Sequence, residues 1–157
     1  MNAIKTELKW ALLFTAMMLL WMTGERLFGL HDVHLDKHAI VTNFVAVPAI
    51  TMYVFALRAK RKTMPEEKMT YLQGLKSGAL LSLFVAALTP VTQYISLTLI
   101  SPYYFENVIN YSVALEMMDE ASAREYFNLS NYIIQGSIGA LIMGLITTAI
   151  VAVFTRR

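Results

Sequence analysis

No cysteine occurs in this chain, so disulfides, thiolate metal sites and thiol nucleophiles are excluded. Charge is also scarce. Only 15% of the residues are Asp, Glu, Lys or Arg, against about 25% in a soluble domain. No GxSxG stretch and no phosphate-cradling glycine loop is present, so the usual hydrolase and nucleotide-binding signatures are missing. No pair of carboxylates falls in a defensible pocket, and the chain is expected not to be an enzyme.

What is there is apolar: 57% of the 157 residues are hydrophobic. These residues are gathered into runs of about the 20 residues a helix needs to cross a hydrocarbon core. The runs predict spans at about 10–28, 39–57, 76–100 and 132–154. In lipid each backbone N–H must find its partner within its own segment, which makes the runs helices. The expected fold is therefore an all-α integral membrane protein in one domain, residues 1–157. Four transmembrane helices form an antiparallel bundle, with short interfacial helices in an outer loop at 101–131. Lys5 and Lys9 before WALLFTAMMLLW imitate a signal peptide, but MTGERLF follows instead of a small-x-small cleavage site, so an uncleaved first span is expected.

Charge sets the orientation. Ten of the thirteen basic residues and only three of the eleven acidic ones fall on the side holding both ends of the chain and the RAKRK loop. Basic residues near span ends mark the cytoplasmic side, so both termini are expected there. The chain is placed in a bacterial cytoplasmic (inner) membrane with the lipid bilayer as its first partner. The basic loop lacks interleaved aromatics and reads as a topology anchor beside anionic lipid, so no nucleic acid is expected.

Small residues recur at steps of four in the third and fourth spans: Gly74, Gly78, Ser82, Ala86 and Pro90, and Gly136, Ala140, Gly144, Thr148 and Ala152. Such a face lets a second backbone come close. The plainer reading pairs the two spans within one chain, and the alternative is a homodimer or another membrane-protein partner.

Polar groups interrupt the spans. Glu25, Asn43 and Gln93, with Pro48 and Pro90 as kink sites, are candidates for a transport or proton pathway. All three histidines lie in HDVHLDKH, residues 31–38. On one helix His31, His34 and His38 would share roughly 60° of arc, which suits Zn²⁺, with Glu25, Glu106 or Asp119 completing the site. Such a site would make an outward-facing metal or pH sensor. A helix that starts after Asp32 instead leaves His31 in the turn and His34 and His38 as an i, i+4 pair, and the plainer reading is a solvated or headgroup-contacting turn. Gly29 is expected to close the first helix left-handed, and Asp32 and Asp119 to cap the helices that follow them.

As a set, GLHDVHLDKHAIVTNFVAVPAI, ALRAKRK, MTYLQGLKSG, LTPVTQYIS, ISPYYFENVI, EASAREYFNLSNYIIQ and IMGLITTAIVAVF resemble a family of small bacterial membrane proteins, domain of unknown function 4199. The resemblance covers nearly the whole length. It implies four transmembrane helices in the cytoplasmic membrane and assigns no activity, cofactor or site residue.

Overall fold

The computed structural model describes residues 4–156; Arg157, counted among the basic residues above, lies outside them. The described residues form helices and turns, with no strand among them. The helices are α1 (Lys5–Leu27), α2 (Leu35–Arg61), α3 (Tyr71–Ile100), α4 (Tyr104–Ala114), α5 (Glu120–Tyr126) and α6 (Leu129–Thr155).

Three of these, α2, α3 and α6, are long and apolar enough to cross a membrane. Only 17%, 17% and 28% of their most apolar stretches is buried, and large apolar side chains such as Ile40, Phe44, Leu83, Ile142 and Phe154 stay exposed. Helix α1 has 23 residues, the length of a span, but Lys5, Glu7 and Lys9 at its start and Glu25 and Arg26 at its end dilute its apolar middle. The other three helices overrun the expected spans at both ends or at one, because their polar end turns continue the helix. The 101–131 segment holds α4 and α5.

Local signals account for the boundaries. Thr70 and Gln73 form a reciprocal capping box that starts α3. Asp119 accepts from the Ser122 N–H and starts α5, as expected, and this bond with the Ser122 hydroxyl holds its carboxyl below the usual range. Asp32 caps nothing. The N-cap position of α2 is His34, because Arg26 takes the Asp32 carboxylate at 2.6 Å. Within α2 the turn Thr42–Val45 tightens to a 3₁₀ form just before Pro48, whose ring cannot fit against the carbonyl four residues back in a regular turn. Helix α3 runs on through Pro90, and its last turn, Ser96–Ile100, widens to a π form.

The small-residue ladders face each other inside the chain. Gly74 lies against Ala152, Gly78 against Thr148, Ser82 against Gly144, and Gly136 against Thr89 and Gln93. The pairing runs in opposite order along α3 and α6. Gly144 also admits the Tyr53 phenol from α2, which meets the Ser82 hydroxyl at 3.0 Å. Beside this seam Ala11, Tyr53, Ala56, Leu81 and Val85 form a small core, with Ala140 packed against it. At the opposite end from the histidines, α1 buries Glu7 against two other helices. Its Oε1 accepts from Ser77 of α3 at 2.6 Å and pairs with Lys60 of α2 at 2.8 Å.

Candidate metal centre

The turn after α1 builds the site. Gly29 takes φ +72°, and two bonds close the helix: Leu30 N–H to Glu25 C=O at 3.0 Å and Gly29 N–H to Arg26 C=O at 3.1 Å. This is a Schellman ending, and it needs glycine because a left-handed L-residue is strained and a Cβ would sit 2.7 Å from the Val33 side chain. The turn sorts two neighbouring charges. Arg26 points outward to Asp32, whose carboxyl is held low by the Val33 N–H and then by the guanidinium. Glu25 points inward and is only 3% exposed.

Around Glu25 the chain gathers three helices. One carboxylate oxygen accepts from the Trp21 indole at 2.7 Å, one turn back along α1. The other lies 3.3 Å from His31 Nε2 and 3.6 Å from His38 Nε2. His31, in the turn, is 1% exposed; His38, on the first turn of α2, is the open member of the set.

A second layer fixes the imidazoles. Ser101 Oγ meets His31 Nδ1 at 2.6 Å. It is brought there by the π turn, in which the Ser101 N–H reaches back five residues to the Ser96 carbonyl at 2.8 Å. Asn107 of α4 donates to the His31 carbonyl at 3.0 Å. The Tyr104 ring meets both imidazoles edge-on, with centroids 5.2 and 5.6 Å away, and burial raises its phenol above the usual range, so it stays neutral.

The spacing suits a small divalent cation. Tetrahedral bonds of about 2.0–2.1 Å set neighbouring donor atoms roughly 3.4 Å apart. The two measured separations from the Glu25 oxygen bracket that value, and the donor atoms of Glu25, His31 and His38 all lie within 4.8 Å of one another. Two histidines and one glutamate leave a fourth position for water. When Ser101 accepts the Nδ1 proton of His31, Nε2 presents its lone pair toward the carboxylate, an arrangement that a cation between them satisfies.

The sequence-level candidates separate here. His31 and His38 meet, but His34 is exposed and stands apart, because the helix begins after it and turns it away. Neither Glu106 nor Asp119 joins the cluster. Glu25, Asn43 and Gln93 do not share a cavity. Glu25 closes an apolar groove between α1 and α2, Asn43 is exposed and bonded to the Ala39 carbonyl at 2.6 Å, and Gln93 lines a recess inside the bundle. Trp21, Ser101 and Tyr104 were not legible as site residues. Only Trp21 carried a signal, four residues before Glu25 on the same helical face.

A family model described as a protein of unknown function (DUF4199) matches residues 9–157. No curated protein and no solved structure matches the chain.

Proposed function

Since the chain belongs to the DUF4199 family, whose description assigns no activity, we propose a role from the site itself: an outward-facing metal sensor carried by a membrane bundle. The carrying observation is the convergence of Glu25, His31 and His38 donor atoms on one buried point. Zinc is the ion of choice, because imidazole and carboxylate suit it.

Under this reading α1 is the fourth span. It packs on α2 and α3 and buries Glu7 at one end and Glu25 at the other, while Leu12, Leu13 and Leu20 on its other side stay exposed. The four helices stand antiparallel in a bacterial cytoplasmic membrane, both termini in the cytosol, and α4 and α5 cover the outer end above the metal. The protein has no catalytic role. It acts as an accessory or signalling subunit, and the ladders serve the fold of one chain before any partner. A transport role has weaker support, since its three polar candidates occupy separate recesses.

Zinc titration by calorimetry tests the site. Wild type binds one ion. His38→Ala, at the open edge of the cluster, weakens binding at least 10-fold, and Ser101→Ala, which loosens His31, weakens it by about 10- to 100-fold. His34→Ala binds like wild type. Equal heats from wild type and His38→Ala would end the metal reading. Orientation is tested separately. An alkaline phosphatase fused after Arg157 should be inactive and a fluorescent protein bright, and the reverse pattern would turn the topology over.

A further inference from the structure

Inside the bundle, away from the histidines, lies a cavity of about 300 Å³ bounded by α1, α2, α3 and α6. That is the low end of the range for small-molecule pockets. One wall is a polar stripe at helical spacing on α3: Thr89, Thr92, Gln93 and Ser96. The facing wall includes the thioethers of Met18, Met22 and Met143, which reshape easily around an apolar guest.

Two features mark this as a place for a ligand and not a packing fault. Ser96 is 1% exposed and lines the cavity, and its hydroxyl has no hydrogen-bond partner among the described residues, an omission that costs about 1–3 kcal/mol unless something fills it. The Gln93 amide also has no partner among the described residues. By contrast the Thr89 and Thr92 hydroxyls donate to their own helix, at Val85 and Leu88, and keep lone pairs free for a donor. On the other side, a Cβ added at Gly139 would meet nothing within 4 Å, so the glycine leaves the space open.

We propose that this cavity binds a small uncharged amphiphile, with a hydroxyl or carbonyl head on the α3 stripe and an apolar body among the methionines. The guest is uncharged because no ionisable side chain lines the cavity. It comes from the membrane, since lipid surrounds the four helices that bound the space and no residue of α4 or α5 borders it. The inference rests on membrane embedding and is independent of the metal.

Photolabelling with 3-azioctanol, an uncharged alcohol bearing a diazirine, tests it on the full chain in nanodiscs. Expected are adducts on the cavity methionines that saturate with probe concentration and are displaced by excess octanol. Gly139→Leu should lower the saturable labelling at least 10-fold, with its melting temperature kept or raised because the new side chain enters empty space. Ser96→Ala, which leaves the backbone untouched, should weaken labelling several-fold. Labelling that rises linearly without saturation, adducts elsewhere on the helices, or equal labelling in wild type and both variants would overturn the proposal. Recovery of the chain from the aqueous fraction would instead remove the membrane reading beneath it.

Discussion

Gly78→Leu will fail to give a folded protein, and Gly78→Ala will melt several degrees below wild type in detergent. A Cβ at residue 78 would overlap the Thr148 side chain, with even the Thr148 Cβ only 2.8 Å away. Both positions are buried on rigid helices, so neither backbone can yield cheaply. Overpacking of this kind costs about 1–3 kcal/mol for one methyl group and more for a branched chain. Helix α6 supplies an internal control: Gly139→Ala meets nothing and gains helix propensity worth up to about 1 kcal/mol, so it should melt at or above wild type. Thr148→Gly should restore part of what Gly78→Ala loses, since all three of the nearest atoms belong to Thr148. A double-mutant cycle on thermal melting isolates that coupling. If Gly78→Ala and Gly139→Ala melt alike, the α3–α6 seam is not what holds the helices together.

Lys60→Met should destabilise the chain by about 3–5 kcal/mol, the usual consequence of stranding one member of a buried ion pair. Glu7 is 3% exposed, and the Lys60 ammonium lies 2.8 Å from its Oε1. Ser77 satisfies the same oxygen, while Oε2 has no partner among the described residues. The carboxylate therefore depends on Lys60 for most of its compensation. Adding Glu7→Gln to Lys60→Met removes the stranded charge and should recover most of the loss, because replacing both partners of such a pair is often close to neutral. Denaturant or thermal unfolding of the two single variants and the double variant decides it. A Lys60→Met protein as stable as wild type, or a double variant as weak as the single, would show that solvent already screens Glu7.

The residues explain which parts of this were readable in the chain. The apolar runs, the glycine closing α1 and the Asp119 cap each depend on a local rule, and local rules survive folding. The ladders announced a close-packed face and favoured the pairing within one chain, but spacing alone left a second copy open as the partner. Asp32 broke its expectation because a stronger partner, Arg26, sat six residues away across a left-handed turn. The histidine cluster was half legible. His31 lies in the turn, as a helix start after Asp32 requires, but the helix begins only at Leu35, which turns His34 away from His38. Glu7 passed for one charge in an orientation tally, since its partners are on two other helices. Ser101 was hidden because its position depends on a π turn, which has no composition of its own.

That widened turn makes the end of α3 tolerant of a one-residue loss in a way the rest of the helix is not. A deletion of one residue between Ser96 and Ile100 would let the segment relax to an ordinary α-helix with little cost in hydrogen bonds. The bundle would survive it. The Ser101 hydroxyl would also stay close to where it is, because an i→i+5 turn holds one residue more than an α turn and its removal returns the following residues to nearly the same side of the axis. Substitutions that tighten the turn without shortening the chain are the damaging kind, since they would carry that hydroxyl about 100° around the axis and off the imidazole.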